Sequence, residues 1–192
     1  DLSLVQIVPV QGTTGATSRV SAVYQAEPRS SFVVALKDVP ELIELPIASL
    51  SGSEQARRMY GYGPFTEEML RAAAPLAIRR VPLPGILDAF FFDPTYRYVV
   101  GAEQGTGHVD VIDLEAGSVA ARLDLPGLPH LGSGISWRRD GRLLMATPNL
   151  QRGVVTIIDA TDWRVVTEVE TPGPGFFMRS HENTPFAWVD AS

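Results

Sequence analysis

An all-β fold assembled from repeated four-stranded units is what this 192-residue sequence predicts, and three observations carry that reading. The chain is a succession of short runs rich in Val, Ile and aromatics, such as "SRVSAVYQ", "RYVVGAE", "GVVTIIDA" and "FAWVD", divided by Gly, Pro, Asp and Asn turn residues. One stretch, "TEEMLRAAAPL", has helical character, with Thr66 placed to cap and Glu67 and Glu68 suited to a first turn. The third observation is a repeat: "VDVIDLEAGSVAARLDLPG" (109–127) aligns with "VTIIDATDWRVVTEVETPG" (155–173), setting Asp113 opposite Asp159 and Pro126-Gly127 opposite Pro172-Gly173, both 46 residues apart. Four short strands at a period in the forties is the pattern of a β-propeller blade.

Taken in order, a diverged unit runs through "SRVSAVYQAEPRSSFVVALKDVPELIELPI" and is followed by an irregular stretch at about 49–77. That stretch reads as a small helical insertion between an outer strand and the next Pro-Gly entry, projecting over one face where blade connections lie. The units containing 109–127 and 155–173 follow, and a further one begins at "GFFMRSHENTPFAWVD". A blade buries its faces against its neighbours, so a ring needs at least four and commonly seven or eight of them. With about four blades, residues 1–192 are read as one partial propeller belonging to a larger ring.

Composition narrows the function classes. A net charge of −6 argues against a nucleic-acid partner, which calls for clustered basic residues. No run approaches the roughly eighteen apolar residues of a membrane helix, and the chain opens at Asp1 without a charged and apolar leader, so any export signal is expected to have been removed upstream. The absence of cysteine excludes disulfides, thiolate nucleophiles and cysteine-bound zinc from these residues. Lys37 is the single lysine beside fifteen arginines, a bias that suits recognition of several carboxylates and that a GC-rich genome also produces.

In a propeller the loops entering the innermost strands converge on one mouth of the central channel. Four such loops, "GTTGATSR", "PLPGILDA", "PGLPHLGSGIS" and "TPGPGFFMRS", deliver Arg19, Asp88, His130 and Arg179. A carboxylate and an imidazole on adjacent blades can serve as base and acid toward one ligand, and arginines beside them can grip its carboxylates. Each has a plainer reading: Asp88 as a turn residue, His130 as a loop histidine among glycines, Arg179 as an ion-pair partner of Glu182. His181 reads as a hydrogen-bonded structural histidine and His108 as solvent-facing in a hairpin turn. Asp113, Asp159 and Asp190 are read as turn-stabilising residues at the ends of equivalent strands. There is no histidine pair at metal spacing, no phosphate-binding glycine loop and no nucleophile elbow in "GSGIS".

The succession "VPLPGILDAFFFDPTYRYVVGA", "VDVIDLEAG", "LPHLGSGISW", "LLMATPNL", "VVTIID" and "GPGFFMRSHENTPFAWVD" resembles the second half of the eight-bladed haem d1 propeller, found in cytochrome cd1 nitrite reductases and in haem d1 biosynthesis proteins. The resemblance covers nearly the whole chain and is weakest at 49–77. It implies that His130 lies where the reductases hold a distal histidine above the haem. Counting back from Asp93 in "FFFDPTYR", Asp88 falls where they hold a second one. Arg19 matches an arginine near the cofactor, and Arg179 is its expected companion toward carboxylates; the iron's proximal histidine belongs to an earlier blade.

An Asp beside a His resembles the biosynthesis branch, in which a dihydro-haem d1 precursor is bound and a propionate is oxidised to an acrylate. The expected protein is thus a periplasmic oxidoreductase of denitrification that binds haem d1 or its dihydro precursor, with other haem d1 biosynthesis proteins or a cytochrome c electron acceptor as partners. Two alternatives stand beside it: the d1 domain of a nitrite reductase with an altered distal pocket, and a non-catalytic propeller that carries the cofactor or binds protein.

Overall fold

The computed structural model describes residues 7–47 and 78–192. The helical expectation over Thr66, Glu67 and Glu68, and the insertion at 49–77, lie outside the described residues. Three four-stranded antiparallel sheets follow one another along the chain, each a simple meander. The first holds β1 (Val20–Ala26), β2 (Ser31–Leu36), β3 (Glu41–Pro46) and β4 (Arg79–Pro82). The second holds β5 (Leu87–Phe92), β6 (Tyr98–Glu103), β7 (His108–Asp113) and β8 (Ser118–Asp124). The third holds β9 (Ile135–Arg139), β10 (Arg142–Pro148), β11 (Val154–Asp159) and β12 (Arg164–Glu170), and a hairpin of β13 (Met178–Ser180) and β14 (Ala187–Val189) starts a fourth. We call these sheets the first to fourth blades.

One expectation is corrected. Glu41–Pro46 is not an outer strand: β4 pairs with it, Leu42 opposite Val81 and Ile43 opposite Arg80, so residues 48–77 join the third and fourth strands of a blade. The short run "RRVP" carries too little apolar pattern to announce an edge strand from sequence.

The blades exist because their sheets are apolar on both sides. In β6, Val99 packs toward the first blade with Leu42, Val81 and Phe90, whereas its neighbour Val100 packs toward the third with Leu131, Met145 and Ile158. A period of two with both faces buried turns the expected alternation into a continuous run, "YVVGA". Ala146 and Val155 of the third blade pack on Met178 of the fourth in the same way.

Polar staples register the blades. At the inner edge, the bulge at Ser21 turns its hydroxyl onto the Leu87 carbonyl of the second blade, 2.8 Å away. At the outer edge, Arg79 donates to the carbonyls of Leu114 and Glu115, the latter at 2.7 Å, while Glu44, buried, accepts a two-nitrogen fork from Arg29 at 2.7 and 3.0 Å and the Ser31 hydroxyl at 3.0 Å.

The repeated aspartates do close turns. Asp113 accepts the backbone N–H groups of Glu115 and Ala116 at 2.8 and 3.2 Å and the Arg97 fork, and Asp159 accepts that of Thr161 at 2.9 Å beside Arg142. Asp190 does not belong with them: it follows a second strand, β14, not a third, and its role lies at the mouth.

Two outcomes follow from these turns. Asp113→Ala is expected to lower the unfolding free energy by about 2 kcal/mol, near 1 kcal/mol for each backbone donor left unpaired, as read by urea titration; an unchanged midpoint would contradict the capping role. The second concerns pH. Hydrogen bonds from Arg97 hold the Asp113 carboxyl below its ordinary value, the Thr161 N–H does the same for Asp159, and Asp38, gripped by Arg19, is lowered to about 2. These groups bind protons more weakly folded than unfolded, so their contribution is present above the unfolded value near 3.8 and is lost as pH falls through the folded one. Tm should therefore hold between about pH 7 and 5 and decline from about pH 4 downward; a Tm unchanged to about pH 2 would refute the linkage.

Candidate functional site

The second strand of each blade ends at the mouth where that blade's own first strand is entered, and there a polar side chain holds the entering loop. Asp38, just past β2, accepts the Arg19 N–H at 2.9 Å. Glu103, closing β6, lies so tightly on Gly85 that a Cβ there would sit 1.8 Å from its Oε1. Asn149, just past β10, accepts the Leu128 N–H at 3.1 Å and donates to the Pro126 carbonyl at 3.0 Å. Asp190, just past β14, accepts the N–H groups of both Phe176 and Phe177 at 2.7 Å. Four loops are thereby fixed by one device with different residues.

The loop bearing His130 is the best defined. Leu131 is fully buried beside Val100 and Met145, anchoring the loop between the second and third blades. Two glycines let it lie close. Gly127 adopts a φ of 95°, and a Cβ on Gly134 would meet the Phe91 ring at 2.9 Å. His130 donates its backbone N–H to Pro148 O at 2.9 Å, and its Nδ1 stands 2.5 Å from the Phe176 carbonyl, which also accepts the Ser133 hydroxyl at 2.8 Å. A carbonyl only accepts, so Nδ1 carries the proton and the lone pair is on Nε2. The ring rests on Phe176 with centroids 4.4 Å apart, and Nε2 has no hydrogen-bond partner among the described residues. A half-buried imidazole in a fixed tautomer with its basic atom open is competent to take a proton or to face a metal.

The other three candidates are placed differently. Asp88 is a strand residue: it is the bulged position of β5, between Leu87 and Ala89, half-buried, with no hydrogen bond or ion pair among the described residues and none to His130. A bulge re-aims the side chain it carries. Arg19 has its fork engaged, with Nε and Nη2 donating to Asp38 at 3.0 and 2.7 Å. Arg179, exposed on β13, donates to the Met178 carbonyl at 2.8 Å and does not pair with Glu182.

The remaining histidines sit as their plainer readings had them. His108 pairs with Asp124 at 2.7 Å across the β7–β8 edge, and the His181 Nδ1 accepts the Asn183 N–H at 3.1 Å. Sequence reasoning missed Phe176 and Phe177, whose rings are about half exposed beside His130. Two adjacent aromatics after "GPG" are the signal that could have found them. Among the described residues no group of three or more His, Cys, Asp or Glu is arranged to hold a metal ion, and no helix is long and apolar enough to cross a membrane.

Comparison with known proteins places this geometry in a family. A cytochrome D1 heme domain family model matches residues 1–70 and 70–192. The dihydro-heme d1 dehydrogenase of Pseudomonas aeruginosa is 47% identical over 190 residues, which is 99% of this chain and 34% of that protein. A nitrite reductase of Stutzerimonas stutzeri is 27% identical over 114 residues, covering 52% of this chain and 20% of its own length. The solved structure of the dihydro-heme d1 dehydrogenase NirN in complex with DHE superposes with a TM-score of 0.82 at 47% identity, covering 100% of this chain and 36% of that one. Apo AztD from Citrobacter koseri, at 14% identity and a TM-score of 0.53 over 86% of this chain and 38% of its own, shares the fold alone. The chain spans about a third of the length of the relatives that match it throughout. The all-β propeller expectation and the haem d1 resemblance are both borne out: the chain is part of a β-propeller and belongs to the cytochrome D1 heme domain family.

Proposed function

We propose that the protein carrying this chain acts late in haem d1 biosynthesis, binding dihydro-haem d1 as substrate and oxidising one of its propionates to an acrylate. The observation that carries the reading is the His130 imidazole, oriented by the Phe176 carbonyl and Ser133 and open at Nε2, in a chain so similar to a dihydro-heme d1 dehydrogenase. The surroundings suit a planar iron tetrapyrrole: Gly132 permits close backbone approach, and the exposed Phe176 and Phe177 rings offer apolar surface to a macrocycle.

The reaction converts –CH2–CH2–COO⁻ to –CH=CH–COO⁻, releasing two protons and two electrons. His130 or Asp88 takes one proton from the side chain, the second passes to solvent, and the two electrons pass singly through the macrocycle to two one-electron acceptors of the c-type cytochrome class. Asp88, on the adjacent blade, suits this role as a carboxylate with no hydrogen bond or ion pair among the described residues. Arg19, which gives Nε and Nη2 to Asp38, and Arg179, which gives Nη1 to the Met178 carbonyl, contribute to carboxylate binding through their remaining N–H groups. The periplasm is the proposed compartment, with other haem d1 biosynthesis proteins as further partners.

A nitrite reductase is the second reading, favoured by the 27% identity to one such enzyme. Nitrite turnover by the intact protein distinguishes it, since the biosynthetic reading expects none. Conversion of the precursor tests the leading reading: of His130→Ala and Asp88→Asn, the one that removes the base is expected to slow turnover roughly 10²- to 10⁴-fold, and unchanged turnover in both would end the proposal.

A further inference from the structure

Tyr24 has no part in the roles assigned so far, yet its hydroxyl and the His130 imidazole both approach Gly132. The residue lies on β1, the innermost strand of the first blade, and its ring meets the fully buried Phe90 edge-on at a centroid distance of 4.9 Å. That contact fixes the ring, while 41% of the residue stays open to solvent. Its hydroxyl lies 3.5 Å from the point a Cβ of Gly132 would occupy, and His130 Nε2 lies 3.9 Å from the same point. Two blades away in sequence, the phenol and the imidazole thus converge on one glycine, and the hydroxyl makes no hydrogen bond among the described residues.

The donors around it narrow what such a hydroxyl would meet. Arg19 commits Nε and Nη2 to Asp38, and Arg179 commits Nη1 to its own strand's Met178 carbonyl, so each guanidinium is partly engaged by the protein. A tetrapyrrole bearing carboxylates therefore finds at this place an uncommitted O–H donor on a rigid ring, next to an imidazole whose tautomer offers a lone pair. A donor and a base so placed complement a carboxyalkyl chain: the hydroxyl serves the carboxylate and the base faces the methylene beside it.

We infer that Tyr24 is a positioning residue that donates its phenolic O–H to a carboxylate of the bound tetrapyrrole and so sets the adjoining methylene before His130. The inference rests on the tetrapyrrole reading given above. It is tested by titrating the intact protein, wild type and Tyr24→Phe, with dihydro-haem d1 and with its methyl-esterified form, followed by the change in Soret absorbance. The wild type is expected to bind the free acid more tightly than the ester, and Y24F to weaken the acid roughly tenfold while leaving the ester unchanged. In turnover, Y24F should raise KM and lower kcat together.

Tyr96→Phe, which alters a tyrosine stacked on Phe92, serves as the control and should change neither ligand's affinity. Equal weakening of acid and ester by Y24F, or no weakening of either, overturns the role of Tyr24 while the tetrapyrrole reading stands. A wild type that binds neither form overturns both.

Discussion

The arrangement of the mouth depends on one interaction repeated with variations: a polar side chain at the end of a second strand receives or blocks the loop that enters the first. Asp38, Asn149 and Asp190 do so by hydrogen bonds to backbone N–H groups, and Glu103 does so by filling the space over Gly85. Loops would otherwise be the least determined part of a propeller, because the sheets bury apolar surface without reference to them. Removing such a carboxylate leaves two backbone donors without their acceptor and sets the loop free, so it positions as well as stabilises. The placement of His130 follows from the Asn149 clip on one side and the Asp190 clip on Phe176 on the other.

Much of the fold was legible because the two faces of each sheet are buried alike. That condition writes short continuous apolar runs such as "YVVGA" and "VVTIID", and turn chemistry writes an aspartate at the close of the third strand in the second and third blades. Neither signal marks an edge strand: β4 has four residues, two of them arginines, so Glu41–Pro46 was read as the blade's limit. Asp190 deceived for a related reason. A β-branched residue followed by Asp closes a second strand here (Val189-Asp190) and third strands elsewhere (Ile112-Asp113, Ile158-Asp159), and only the pairing of β13 with β14 shows which it is.

The candidate site was legible in its location and less so in its chemistry. Blade periodicity alone leads to His130 and Asp88, since innermost strands must begin at the mouth. It cannot say which cations already hold protein acceptors. Arg19 looked available as a member of an arginine-rich set, yet Asp38, nineteen residues on, lies beside it only because β1 and β2 pair antiparallel. Tyr24 was invisible because its relation to His130 crosses two blades and runs through a glycine with no side chain of its own.

The bond from His130 Nδ1 to the Phe176 carbonyl joins two blades through the one ring whose protonation matters. That carbonyl is carried by a loop of the fourth blade and the imidazole by a loop of the third, so the tautomer is a property of the blades' juxtaposition and not of either sequence segment. Withdrawing the fourth blade by a hydrogen bond's length would free the proton to move between the ring nitrogens. The contact of the imidazole with the Phe176 carbonyl thus records that two neighbouring blades have docked.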